Sequence, residues 1–133
     1  MLGLFKSKKK AKKAKILLID DEADLVETIQ WMLQSSGYDI VSATNGKEGL
    51  ELATRERPDL IVLDIRMPVM DGHEMLKRLR GNPDFKDIPV IMCTMSDEIW
   101  DITEASRYKI CDYITKPFNG LDLMEKISDV LNK

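Results

Sequence analysis

The sequence contains few of the residues that build disulfide frameworks or structural zinc sites. It has two cysteines and one histidine in 133 residues, and the cysteines do not form a CxxC pair. No apolar run approaches the roughly 20 residues of a membrane-spanning helix, and no internal repeat is visible. These absences exclude a disulfide scaffold, a structural zinc module and a solenoid. The chain is long enough for one domain with its own hydrophobic core.

Charge is distributed unevenly along the chain. The formal net charge is −3, but residues 1–15 hold seven lysines and no acidic residue. The remaining residues therefore carry 13 basic groups against 23 acidic groups. Such an acidic body repels the phosphate backbone of nucleic acids, so we expect no direct DNA binding by the folded domain.

The lysine-rich segment, residues 1–14, is predicted to be a disordered leader that precedes a domain over residues 15–133. Its short apolar tip comes before its basic run, which is the wrong order for a secretory signal. We therefore expect a cytoplasmic protein with reduced thiols. Weak contact of the lysines with an anionic membrane surface, or with nucleic acid, remains an alternative to a solvated tail.

Beyond the leader, short apolar runs alternate with segments of helical periodicity. The apolar runs predict strands at 16–19, 38–43, 60–63, 88–93 and 112–115. The periodic segments predict helices at 22–36, 46–56, 73–80, 97–108 and 121–131. This alternation is typical of an α/β fold in which helices cover both faces of a five-stranded parallel sheet.

Polar and charged residues follow four of these apolar runs. Asp20 and Asp21 follow the first run, Asp64 the third, Thr94 the fourth and Lys116 the fifth. Because ligands of such sheets bind at the carboxyl ends of the strands, we expect these side chains to converge. Carboxylates without His or Cys suit a hard cation, and a small, hydrated site favours Mg²⁺. The alternative for the Asp pair alone is that Asp21 caps the first helix.

The pattern resembles the receiver domains of two-component response regulators. The resemblance covers residues 15–133 and rests on 19–22 (IDDE), 64–68 (DIRMP) with Asp71-Gly72, Thr94, and 113–118 (YITKPF). It implies a flavodoxin-like, doubly wound (βα)5 fold with strand order 2-1-3-4-5. It also implies that the peptide bond between Lys116 and Pro117 is cis.

By this resemblance, Asp64 is the phosphoacceptor. Asp20, Asp21, Asp64 and the backbone carbonyl of Arg66 would hold Mg²⁺, and Lys116 would offer a positive charge to the phosphoryl group. The Asp64 carboxylate would form an acyl phosphate, and the cation would neutralise the charge that develops on the phosphoryl oxygens.

The resemblance assigns the switch to Thr94 and Tyr113. The Thr94 hydroxyl would bond a phosphoryl oxygen, and Tyr113 would respond on the face formed by the helix at 97–108, the strand at 112–115 and the helix at 121–131. The expected donor is a histidine kinase or a phosphotransfer protein, and the expected output is contact with a downstream protein. The chain would be a stand-alone regulator that catalyses only its own phosphorylation and dephosphorylation.

Three other interpretations stay open on the sequence alone. A haloacid-dehalogenase-type phosphatase also uses an aspartate nucleophile, but it needs a second aspartate where this chain has Arg66. A flavodoxin-like electron carrier needs a first loop that receives a phosphate, which Asp20-Asp21-Glu22 would repel. A receiver-like scaffold that is never phosphorylated is the third alternative. The presence of all the expected site residues argues against it: Asp20, Asp21, Asp64, Thr94 and Lys116.

Overall fold

The computed structural model describes residues 13–95, 103 and 105–132. The strands in this part of the chain form one parallel sheet in the order β2-β1-β3-β4-β5, as the resemblance implies. They are β1 (Lys15–Ile19), β2 (Asp39–Ala43), β3 (Leu60–Asp64), β4 (Val90–Met95) and β5 (Asp112–Lys116). The α-helices described are α1 (Ala23–Ser35), α2 (Gly46–Glu56), α3 (Gly72–Gly81) and α4 (Gly120–Leu131). None of these four is long and apolar enough to cross a membrane.

The central strand of the sheet is β3, because its sequence is apolar almost without interruption. All five of its residues are buried, which is the pattern of a strand covered on both faces. It pairs with β1 through Leu17 and Ile61, and with β4 through Leu63 and Met92. This position places the last residue of β3, Asp64, between the ends of two neighbouring strands.

Two hydrophobic clusters, one on each face of the sheet, hold the helices in place. Successive residues of β1 divide between them, since Leu17 and Ile19 belong to one cluster and Ile16 and Leu18 to the other. The first cluster includes residues of α2 and α3, and the second includes residues of α1 and α4. Burial of apolar surface on both faces stabilises the doubly wound layout.

Three of the four described helices begin with a side-chain cap. Asn45, Asp71 and Asn119 each accept a hydrogen bond from a backbone N–H in the first turn of α2, α3 and α4. The exception is α1, whose N-cap residue is Glu22 and whose N-cap side chain makes no such bond. The alternative that Asp21 caps this helix is therefore wrong.

The predicted boundaries of the described elements lie within two residues of the observed ones, and β4 differs most. That strand begins at Val90 and not at 88, because Pro89 has no N–H for the ladder. It continues to Met95, which pairs with Lys116. The predicted helix at 97–108, including Trp100, lies largely outside the described residues, as does the predicted leader.

Candidate functional site

The buried polar side chains lie at the carboxyl ends of the strands. Among the described residues, the buried polar or charged ones are Asp20, Asp64, Thr94 and Lys116. Asp20 directly follows β1, Asp64 ends β3, and Thr94 and Lys116 lie at the ends of β4 and β5. Because burying a charge is costly unless it is paired, their concentration at one edge of the sheet indicates a functional site.

Three carboxylates meet at this edge. Oxygen atoms of Asp20, Asp21 and Asp64 lie within 4.8 Å of one another, with Asp21 exposed and the other two buried. Two hydrogen bonds hold the loop after β1: the N–H of Asp20 donates to the Ala43 carbonyl at 3.1 Å, and the N–H of Glu22 donates to Asp20 Oδ1 at 2.9 Å. The structure thus brings together the three carboxylates that the sequence predicts as metal ligands.

The ammonium of Lys116 lies among these carboxylates. Its Nζ is 2.7 Å from Asp20 Oδ2, 2.9 Å from Glu22 Oε1 and 3.5 Å from Asp64 Oδ1. The peptide bond that follows Lys116 is cis, as the resemblance implies. One ammonium therefore faces three carboxylates, and Asp21 brings a fourth to the same edge of the sheet.

Burial and like charge act together on Asp64. Burial, with a contribution from the Asp20 carboxylate, raises the pKa of Asp64 to about 7 against the opposing effect of Lys116. Burial alone would lower the pKa of Lys116, but its hydrogen bonds to Asp20 and Glu22 raise that pKa above its ordinary value. The site is therefore short of positive charge. Carboxylate oxygens are the ligands that Mg²⁺ prefers, so the residues present fit that ion.

The predicted switch residues lie on neighbouring strands. Thr94 is buried, and its hydroxyl donates to the Met95 carbonyl at 3.3 Å. Tyr113 of β5 is 45% exposed and lines a groove between β5 and α4. Arg66, whose carbonyl the family resemblance implies as a ligand, follows Asp64 by two residues and has an exposed side chain. Thr94 and Tyr113 thus lie on the strands that connect the acidic site with the β5 edge of the sheet.

Two residues of the site have no role predicted from the sequence. The Glu22 carboxylate accepts a hydrogen bond from Lys116 Nζ at 2.9 Å; the signal available in the sequence was that an ammonium has three N–H donors to satisfy. Gly72 is predicted only as part of a turn. A Cβ at Gly72 would clash with the Asp64 backbone carbonyl, and the Gly72 N–H donates to the Ile65 carbonyl at 2.8 Å. Glycine therefore lets the start of α3 approach the end of β3.

The comparison with protein families agrees with this fold. The family model of the response regulator receiver domain matches residues 16–128, which is most of the chain. The chain belongs to this family.

Two curated relatives show the range of proteins in which similar sequences occur. The chain is 39% identical over 119 residues to the alkaline phosphatase synthesis transcriptional regulatory protein PhoP of Bacillus subtilis, and the match covers 90% of this chain and 49% of PhoP. It is 34% identical over 118 residues to the protein PilH of Pseudomonas aeruginosa, covering 89% of this chain and 98% of PilH. The chain thus spans about half the length of PhoP and nearly all of PilH.

A solved structure has the same fold. The receiver domain of the sensor histidine kinase PA1611 from Pseudomonas aeruginosa superimposes with a TM-score of 0.83 at 27% identity, covering 92% of this chain and 100% of that one. In that protein a magnesium ion is coordinated in the active-site cleft.

Proposed function

We propose that this protein is a switch that accepts a phosphoryl group on Asp64 from a histidine kinase or a phosphotransfer protein, with Mg²⁺ bound. The observation that carries the proposal is the convergence of Asp20, Asp21 and Asp64 within 4.8 Å, beside the ammonium of Lys116. A purely structural role does not account for this cluster, because like charges buried together destabilise a fold. The magnesium ion in the PA1611 receiver domain supports the choice of cation.

The residues at the strand ends have separate roles in the transfer. A carboxylate oxygen of Asp64 bonds to phosphorus while the bond from phosphorus to the donor imidazole nitrogen breaks, which leaves an acyl phosphate on Asp64. Asp20, Asp21, Asp64 and the carbonyl of Arg66 would hold the Mg²⁺, which supplies positive charge beside the phosphoryl oxygens. Lys116, 3.5 Å from Asp64 Oδ1, supplies a second positive charge. The protein would catalyse only its own phosphorylation and dephosphorylation.

The proposed output is a change of protein contact on the face around β5. The Thr94 hydroxyl would exchange its bond to the Met95 carbonyl for a bond to a phosphoryl oxygen, which exists in the modified state alone. Tyr113 lines a groove of about 620 Å³ whose walls also include Phe118 and Asp122. A downstream protein would distinguish the two states of this surface, and the folded domain itself would not bind DNA.

We also propose that the protein acts as a single-domain regulator in the cytoplasm. The match over 98% of PilH supports a regulator of receiver size, whereas PhoP is about twice as long as the matched segment. The mass of the native protein in its own cells tests this point. A native protein of receiver size would have a mass close to the 15.2 kDa of this chain, and a product of about twice that mass would contradict the proposal.

Intact-mass spectrometry after incubation with acetyl phosphate tests the proposed phosphorylation. The wild-type protein should gain one phosphoryl group in Mg²⁺ and none in EDTA. Asp64→Asn should gain none, whereas Asp87→Asn, at a position whose side chain is 73% exposed, should behave as the wild type. Full labelling of Asp64→Asn would overturn the assignment of Asp64, and an unlabelled wild type would favour the unphosphorylated scaffold.

A further inference from the structure

The ammonium of Lys116 already faces as many acceptors as it has donors. An ammonium has three N–H groups, and Nζ lies within 3.5 Å of an oxygen in each of Asp20, Glu22 and Asp64. The two shorter contacts, of 2.7 and 2.9 Å, are to the loop after β1. The ammonium is therefore held toward that loop. Its contact with Asp64 is the longest of the three, at 3.5 Å, so Lys116 has to move away from the loop to bond a phosphoryl oxygen on Asp64.

The three acceptors differ in how easily they release Lys116. Asp64 takes the phosphoryl group, so its own carboxylate contact with Lys116 ends in the transfer. The side chain of Asp20 is 4% exposed, so water does not readily replace Lys116 there. The side chain of Glu22 is 61% exposed. Because exposed carboxylates give up an ion pair at little cost, Glu22 is the acceptor that leaves.

The place of Glu22 in the chain supports a role directed at Lys116. It occupies the N-cap position of α1, yet it makes no cap hydrogen bond. The other three described α-helices have Asn or Asp at this position, and those shorter side chains fold back on the first turn. The longer glutamate reaches Lys116, which lies 94 residues further along the chain.

We propose that Glu22 is a positioning residue that holds the Lys116 ammonium on the loop after β1 and releases it when Asp64 is phosphorylated. The inference rests on the proposed function, since it concerns the same transfer. The release involves no covalent step: Lys116 exchanges a hydrogen bond to a carboxylate for one to a phosphoryl oxygen and keeps all its protons. Glu22 thereby slows phosphorylation of the resting protein.

Two substitutions separate the reach of the Glu22 side chain from its charge. Glu22→Gln removes the negative charge and weakens the bond to Lys116. Glu22→Asp keeps the charge, but it is one methylene shorter, and at an N-cap an aspartate accepts an N–H of its own helix. Glu27→Gln, at an exposed position on the same helix, is the matched control for the loss of one negative charge.

The initial rate of phosphorylation by phosphoramidate in Mg²⁺ is the first measurement. We expect Glu22→Gln and Glu22→Asp to react about three- to fivefold faster than the wild type, the effect of losing one exposed ion pair. Glu27→Gln should react at the wild-type rate. An equal increase in Glu22→Gln and Glu27→Gln, or a wild-type rate in Glu22→Asp, would show that charge alone matters and would overturn the inference.

The ¹⁵N resonance of the Lys116 ammonium in the metal-free protein is the second measurement, and it requires no phosphoryl transfer. The resonance should shift in both Glu22 variants and stay in place in Glu27→Gln. A resonance that does not move in either Glu22 variant would overturn the inference. If the wild type is never phosphorylated, the proposed function fails, while this resonance still decides whether Glu22 holds Lys116.

Discussion

At the scale of single residues, Asp64 lies in surroundings that oppose its charge. Burial, with the Asp20 carboxylate, raises the pKa of the Asp64 carboxyl from its ordinary value of 3.8 to about 7 in the folded protein. Between these values the folded state binds more protons than the unfolded state. The contribution of this group to stability is therefore fully present below about pH 4 and is lost as the pH rises through 7.

Asp64→Asn should accordingly stabilise the metal-free protein at pH 8. The neutral carboxamide removes a buried charge, so we expect the free energy of unfolding to rise by about 1–3 kcal/mol at pH 8 and by much less at pH 5. Urea denaturation in EDTA at both pH values measures the difference. Asp87→Asn serves as the exposed control and should change little. An Asp64→Asn variant no more stable than the wild type at pH 8 would show that the buried charge carries no cost.

At the scale of elements, one arginine connects α3 with the segment that leads into β5. Arg80, in the last turn of α3, donates from Nε to the Tyr108 carbonyl at 2.7 Å. It also donates from Nη1 to the Phe85 carbonyl at 2.9 Å and from Nη2 to the Lys109 carbonyl at 3.0 Å. The planar guanidinium suits three separate acceptors. This contact holds the chain just before the strand that ends in Lys116.

Removing this connection should destabilise the domain. Arg80→Ala removes three hydrogen bonds to backbone carbonyls, and we expect a loss of about 2–3 kcal/mol in the free energy of unfolding. Arg80→Lys should recover only part of the lost free energy of unfolding, because one ammonium cannot reach all three carbonyls. The matched control is Arg78→Ala on the same helix, which breaks a surface ion pair with Glu74 and should cost less than about 1 kcal/mol. Equal losses in the Arg80→Ala and Arg78→Ala variants, measured by urea denaturation, would contradict this account.

The transmission of the phosphorylation signal from β4 to β5 is proposed to start at the Thr94 hydroxyl. Thr94→Ala should still be phosphorylated, but its Tyr113 amide should lose most of the chemical-shift change that phosphorylation causes in the wild type, because no hydroxyl binds the phosphoryl oxygen. Thr94→Ser keeps a hydroxyl and should retain the change. Spectra of ¹⁵N-labelled protein with and without acetyl phosphate and Mg²⁺ measure it. A full shift of Tyr113 in Thr94→Ala would show that the signal takes another route.

At the scale of the whole molecule, local patterns in the sequence predict the layout of the sheet and the place of the site. The continuous apolar run of β3 indicates a central strand, and the ends of such strands show where Asp20, Asp64 and Lys116 must meet. The strand order is implied by the family resemblance and is confirmed in the structure.

Contacts between distant segments could not be predicted in this way. The bond between Glu22 and Lys116 joins residues 94 apart, and the bond between Arg80 and Tyr108 joins residues 28 apart. Both bonds depend on side-chain directions that are set when helices and strands pack. Local periodicity in the sequence does not encode these directions. The start of β4 also differs from the predicted one, because the apolar pattern alone takes no account of the N–H that Pro89 lacks.

We propose that the fold brings its charged residues together so that Asp64 accepts the phosphoryl group. Borohydride reduction of the acyl phosphate marks the acceptor, and mass mapping of the resulting peptides identifies it. We expect reduction at Asp64, and only after incubation with the phosphodonor and Mg²⁺. Reduction at Asp20 or Asp21 in place of Asp64 would contradict this proposal.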